Sequence, residues 1–125
     1  MSEPRTIHGV RILEYPAEGP ILGNDRAIMD LIADGRSHNA DMVVVSTARF
    51  SAEFFQLRTR LAGDLLQKFV NYQLRLTILG DLSKEASESQ SLQAFIRESN
   101  RGTHVWFLAT HEELEQRLAA TEKVL

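Results

Sequence analysis

One stretch, from Phe54 to Leu82, constrains the fold of this chain more than any other. It combines an amphipathic helical pattern with a run typical of a buried strand, and almost nothing separates the two. Apolar side chains recur at intervals of three and four: Leu57, Leu61, Leu65, Phe69 and Tyr72. The opposite stripe is polar: Arg60, Asp64, Gln67, Lys68 and Asn71. The spacing predicts a helix with one side packed on a sheet and the other in solvent.

A strand is predicted directly after that helix, from Leu74 to Leu79, and it ends at Gly80-Asp81. Before this stretch, the sequence predicts a first strand at Thr6–Tyr15 on a sheet edge, a turn with a short strand at Ala17–Gly23, a helix from Asn24 or Asp25 closed by Gly35, and a central strand at Met42–Val45. The helical region is predicted to begin near Glu53, with Ser51 as its cap. After the strand, the sequence predicts a loop at Ser83–Ser91, a helix through Leu92 that ends at Asn100–Gly102, a strand at Thr103–Ala109, and a last helix begun by a Thr110/Glu113 capping box.

From Met42 onward the predicted order is β-α-β-α-β-α, and crossovers through helices favour parallel strands. The predicted fold class is therefore α/β, with a single-layer mixed, mostly parallel sheet and helices packed on it. A length of 125 residues without a repeat suits a single domain, residues 1–125.

The composition of the chain restricts its possible partners and cellular compartment. The net charge is −3, from 14 basic and 17 acidic residues that are interspersed, which gives no basic patch for nucleic acid. There is no cysteine, which fits a reducing compartment, and no apolar run reaches the length of a membrane helix or a signal peptide. We therefore expect a cytoplasmic protein with neither nucleic acid nor membrane as a partner.

Two segments carry a resemblance to a known family: FFQLRTRLAGDLLQKFVNYQLRLTILGDLS and FIRESNRGTHVWFLAT. They resemble an uncharacterised bacterial family, domain-of-unknown-function family 4180, over about Val10 to Leu118. The resemblance implies a glycine where this chain has Arg60.

The order of elements is also similar to the SpoIIAA-like or STAS-like fold, a likeness at the level of the fold alone. Proteins of that type are often non-enzymatic regulatory or interaction modules, and some are switched by phosphorylation of a serine at the start of the helix after a central strand. Ser51 falls near that place, but the Asp-Ser-Ser-Gly pattern of those proteins is missing here.

The sequence contains no recognisable catalytic motif. The seven glycines are dispersed, so neither a phosphate-binding loop nor a dinucleotide fingerprint is present. The four histidines share no metal-ligand spacing. We therefore expect no metal, no cofactor and no catalytic residue, and an enzyme is the less favoured class.

Polar residues instead collect where two strands end. Arg49 and Ser51 follow the strand at Met42–Val45, and Asp81 and Ser83 follow the next strand. In open α/β sheets ligands bind beyond the carboxyl ends of the strands, so these four are the predicted ligand- or partner-binding residues. The structural alternative is that Ser51 caps a helix, Asp81 closes a turn and Arg49 is solvated.

A second surface is predicted on the long helix itself. Thr59, Gly63 and Val70 lie near one side at spacings of four and seven, and a glycine there allows another backbone to approach closely. That backbone belongs either to the same domain or to a second copy of the chain.

Two functional classes follow. The favoured one is a non-enzymatic regulatory or protein-interaction module, which binds a protein partner or associates with itself. The alternative is a small-ligand-binding protein or an enzyme that uses the carboxyl edge of the sheet, and it requires a pocket with convergent polar groups.

Overall fold

A computed structural model describes residues 3–123 of the chain, with side chains described through residue 120. The elements occur in the order β1 (Arg5–Ile7), β2 (Val10–Tyr15), α1 (Asp25–Ser37), β3 (Met42–Ser46), three 3₁₀ helices (Thr47–Arg49, Ala52–Phe55 and Leu57–Thr59), α2 (Leu61–Asn71), β4 (Arg75–Leu79), α3 (Ser83–Ser87), α4 (Gln90–Arg101), β5 (Val105–Leu108) and α5 (His111–Lys123).

The five strands form one sheet in the order β1-β2-β3-β4-β5. β1 and β2 are antiparallel, and every other neighbouring pair is parallel, with Val43 opposite Leu76 and Ile78 opposite Phe107. The predicted α/β class with a mixed, mostly parallel sheet is confirmed. β3 is the central strand, as predicted, because its four apolar residues are covered on both faces.

The first predicted strand is a hairpin, which corrects the sequence interpretation. His8 and Gly9 both have positive φ, 48° and 79°, and they form a two-residue turn between β1 and β2. Such turns match the twist of the flanking strands. The edge of the sheet is consequently β1, and β2 lies one strand further in.

One face of the sheet carries α1, α2 and α4. Their apolar residues, which include Leu31, Leu65 and Leu92, pack on Val43, Ile78 and other residues of that face. The other face is covered by α5 through Leu114 and Leu118, which contact the cluster that contains Met42, Val44 and Trp106. The chain therefore leaves β4 toward one face and β5 toward the opposite face.

The long helix predicted from Phe54 begins later than expected. Two 3₁₀ helices precede it, and Arg60 then adopts a left-handed conformation with φ of 65°, so α2 starts at Leu61. Leu65 and Phe69 are fully buried as predicted, whereas Tyr72 follows the helix and is 42% exposed. Leu57 and Leu61, four residues apart, pack against the same core cluster although Leu57 lies in a 3₁₀ helix, so their spacing resembled that of one continuous helix.

Three smaller predictions are also wrong. Gly35 does not close α1, which continues to Ser37 with Gly35 buried in its interior. The predicted loop from Ser83 contains the short helix α3, and Ala17–Gly23 contains no strand.

No helix in the described part of the chain has the length and apolar content needed to cross a bilayer.

Candidate functional site

A crevice opens between the carboxyl ends of β4 and β5. The chain turns to opposite faces of the sheet after these two strands, toward α3 and α4 in one case and toward α5 in the other. In open α/β sheets this divergence creates the gap in which ligands bind. The end of β4 is tied to β5 by the Gly80 N–H, which donates to the Leu108 carbonyl at 2.9 Å.

The crevice has a volume of about 670 Å³ and opens broadly to solvent. It is lined by Gly80, Asp81, Leu82, Ser83, Ala86, Ile96, Asn100, Phe107, Leu108, Ala109, Glu113, Gln116, Arg117 and Ala120. The charged side chains among these are Asp81, Glu113 and Arg117. The site is therefore an apolar depression with one carboxylate on each wall.

The β4 wall is shaped by a tight turn. A Cβ at Gly80 would collide with the Thr47 hydroxyl, so glycine is required for this close approach. Asp81 Oδ1 accepts a hydrogen bond from the Ser83 N–H at 2.9 Å. That bond, and a smaller contribution from the Ser83 hydroxyl, lower the pKa of the exposed Asp81 carboxyl, which is therefore ionised at neutral pH.

The β5 wall is formed by the start of α5. Thr110 Oγ1 accepts a hydrogen bond from the Glu113 N–H at 3.2 Å, and Glu113 Oε2 accepts one from the Ala109 N–H at 2.7 Å. The predicted cap is present at Thr110, although Glu113 reaches one residue further back than a capping box requires. The hydrogen bond from Ala109 fixes the Glu113 carboxylate in the wall of the crevice.

Asn100 and Arg117 also line the crevice, and the sequence had marked Asn100 only as a helix end. The Asn100 amide donates to the Phe107 carbonyl at 3.0 Å and accepts from the Phe107 N–H at 2.7 Å. It thus occupies the outer edge of β5 as another strand would. Arg117 donates to the Asn100 carbonyl, with its guanidinium carbon 4.7 Å from the centre of the Trp106 ring. No sequence motif marks these long-range contacts.

The four predicted binding residues divide between different places. Asp81 and Ser83 share the crevice, whereas Arg49 lines a separate cavity beside the loop at residues 16–20 and Ser51 lines neither. Arg49 is only 5% exposed, which corrects its interpretation as solvated. Ser51 precedes a 3₁₀ helix but makes no capping hydrogen bond with its side chain. A binding role for the four stays a prediction.

The predicted interface residues do not share one helix. Thr59 lies in the preceding 3₁₀ helix, and its hydroxyl is within hydrogen-bond distance of the Glu53 and Gln56 carbonyls, at 2.9 and 2.8 Å. Gly63 and Val70 are exposed on α2, and a Cβ at Gly63 would meet no described residue within 4 Å. The prediction that another backbone of the same domain approaches Gly63 is therefore wrong. Contact of this surface with a second copy of the chain stays a prediction.

Within residues 3–120, no three His, Asp or Glu side chains come together at a spacing that would hold a metal ion.

The sheet and crevice define a class: an α/β domain with an open, mostly parallel sheet and a gap where the chain turns to opposite faces. The sequence model of the family described as "Domain of unknown function (DUF4180)" matches residues 7–118, and the chain belongs to that family. No curated protein and no solved structure matched the chain. The expected family is confirmed, and the STAS-like fold stays a prediction.

Proposed function

We propose that this protein is a non-enzymatic protein-interaction module of the cytoplasm, and that its crevice receives a basic segment of a partner protein. The observation that carries the proposal is the pair of carboxylates, Asp81 and Glu113, on opposite walls of an apolar depression. The third charge, on Arg117, is held against the Trp106 ring. A lysine or arginine side chain of a partner would meet both carboxylates, while neighbouring apolar groups contact Leu82 and Ile96.

The broad opening of the crevice to solvent favours a macromolecule over a small molecule as its ligand. Small-ligand sites usually bury 70–90% of the ligand surface, which a broadly open depression does not do. A protein partner covers such a depression as a whole, with an apolar centre and a polar rim. Rim charges then contribute mainly to the association rate and to specificity.

The test uses three versions of the protein as bait in a native lysate. The crevice variant Asp81→Asn/Glu113→Gln removes both charges but keeps oxygen acceptors for the Ser83 and Ala109 N–H groups. The control variant Glu53→Gln/Asp64→Asn makes the same charge change at exposed positions away from the crevice.

We expect wild type and control to capture the same protein, and the crevice variant to lose it. A synthetic peptide of the captured protein's basic segment should then shift the amide resonances of residues 80–83 and 109 in wild type. Its binding should weaken about tenfold or more in the crevice variant and with added salt. Equal capture by all three baits, or peptide shifts elsewhere, would refute the proposal.

The alternative function, a small-ligand-binding protein or an enzyme at the same sheet edge, is favoured by a different observation. The Arg49 cavity is the more enclosed of the two and has a buried charge in its wall.

A further inference from the structure

Arg49 is a buried charge for which residues 3–120 supply no ionic partner. Buried charged groups in proteins are normally paired, because an unpaired charge is costly to remove from water. Arg49 Nε donates to the Pro20 carbonyl at 2.9 Å and Nη1 donates to the Pro16 carbonyl at 3.0 Å. Among the described residues, no carboxylate lies within 4.0 Å of its guanidinium, and Nη2 has no hydrogen-bond acceptor. The part of the chain that the structure describes therefore supplies no counter-charge for Arg49.

The cavity at this guanidinium has a volume of about 490 Å³ and lies between the loop at residues 16–20 and α1. It is lined by Leu13, Tyr15, Pro16, Glu18, Gly19, Pro20, Asp34, His38 and Arg49. Gly19, with φ of 144°, lies close against Arg49, since a Cβ there would approach the guanidinium carbon to 2.7 Å. The loop thus covers one side of the guanidinium and leaves the cavity at another.

The same cavity also presents negative charge. Asp34 and Glu18 are exposed residues of its wall, and the Tyr15 hydroxyl donates to Asp34 Oδ2. The Tyr15 ring extends from this hydrogen bond toward Arg49, whose guanidinium carbon lies 5.9 Å from the ring centre. Burial, followed by the hydrogen bond to Asp34, raises the pKa of Tyr15, so the hydroxyl stays a neutral donor. Opposite charges therefore lie across the cavity without an ion pair between them.

These charges select one class of ligand. A simple anion would meet Arg49 but would be repelled by the two carboxylates, and a simple cation would leave the guanidinium unpaired. A molecule with a carboxylate and an ammonium group satisfies both walls, because guanidinium groups bind carboxylates through parallel N–H bonds. We propose that this cavity binds a free α-amino acid, with its carboxylate on Arg49, its ammonium group on Asp34 and Glu18, and an apolar side chain against Leu13. This proposal concerns a different cavity and does not depend on the function proposed for the crevice.

The probes for calorimetric titration are L-alanine, L-valine, L-leucine and L-phenylalanine, with two analogues of each. The amino-acid amide lacks the carboxylate, and the N-acetyl derivative lacks the ammonium group. We expect at least one free amino acid to bind, and each of its analogues to bind about 10- to 100-fold more weakly, since hydrogen bonds to charged groups are the stronger ones. No binding tighter than roughly 10 mM by any of the four, or equal binding by an analogue, would refute the proposal.

Variants locate the site. Asp34→Asn keeps an oxygen acceptor for Tyr15 but removes the charge, and Asp64→Asn makes the same change on an exposed residue of α2 that does not line the cavity. We expect the first to weaken amino-acid binding about 10-fold and the second to leave it unchanged. Arg49→Lys tests the carboxylate partner, with the exposed Arg26→Lys as its control. Should Arg49→Lys not fold, Asp34→Asn decides alone, and unchanged binding in Asp34→Asn would overturn the assignment.

Discussion

Gly35 has no room for a side chain, and replacing it with alanine should destabilise the protein. It lies inside α1, on the side that faces the sheet. A Cβ at this position would lie 2.8 Å from Leu74 Cδ2 and 2.9 Å from Val43 Cγ2. Real Cβ atoms do not approach other carbons so closely, so a neighbour must move.

Two terms of opposite sign determine the effect of Gly35→Ala. Alanine favours a helix interior over glycine by up to about 1 kcal/mol. Overpacking a tight core costs about 1–3 kcal/mol, and Val43 is a stiff β-branched residue that is 0% exposed in the central strand. We expect a net loss of about 1–2 kcal/mol of unfolding free energy, or about 4 °C in melting temperature for each kcal/mol.

Gly63→Ala is the matched control. Gly63 is also helical, but it is exposed and a Cβ there would meet nothing within 4 Å. Only the helix-propensity term remains, so this variant should be more stable than wild type by about 0.5–1 kcal/mol. The two substitutions therefore change stability in opposite directions, although the chemical change is the same.

Urea titration followed by tryptophan fluorescence measures both variants. Trp106 is the only tryptophan and is 1% exposed, so its emission reports unfolding of the core. The slope with urea should stay constant and only the midpoint should move. A Gly35→Ala variant as stable as Gly63→Ala would refute the packing argument, because propensity alone would then explain both.

Three further predictions concern local conformation and charge. Arg60→Gly should raise stability by up to about 1 kcal/mol, because glycine adopts the φ of 65° without strain; Arg58→Gly is the control and should not stabilise. Thr110→Ala should cost about 1 kcal/mol through loss of the cap, and Thr110→Ser should restore the urea midpoint. Since folding lowers the pKa of Asp81 from 3.8, its contribution is present above that pH and is lost below it. The melting-temperature difference between wild type and Asp81→Asn should therefore disappear as the pH falls below 3.8, and a difference that persists at low pH would contradict the assignment.

The sequence predicted those features that depend on local pattern. Apolar runs located β3 and β4. The tendency of ligands to bind beyond the carboxyl ends of strands singled out Asp81 and Ser83, which both line the crevice. The start of α2 was missed because Leu57, in a 3₁₀ helix, packs against the same core cluster as Leu61 and so continues the apolar spacing of the helix. The arginine at position 60 does not itself mark the left-handed conformation found there, whereas the glycine that the family resemblance implies at this position does.

Features that depend on distant contacts were beyond a single sequence. Gly35 and Gly63 are both helix glycines, and only the packed neighbours distinguish the crowded one from the open one. The structural alternative to a binding role placed Arg49 in solvent, but backbone carbonyls of a loop about thirty residues earlier hold it in the interior. Carbonyl groups are the same in every residue, so no sequence pattern could mark these acceptors.

The strands stand side by side in the same order in which they occur in the chain. During synthesis, each parallel strand can therefore pair with the strand made just before it, across one helical crossover, without waiting for a later segment to fill a gap. Each parallel pairing then closes a segment of about 30 residues and never a longer one, which limits the loop-closure entropy that it costs. On the side of the sheet to which strands are added, only the most recently synthesised strand has an unpaired edge. After β5 has been added, its unpaired edge is met by Asn100, which precedes β5 in the chain and is therefore already available to pair with Phe107.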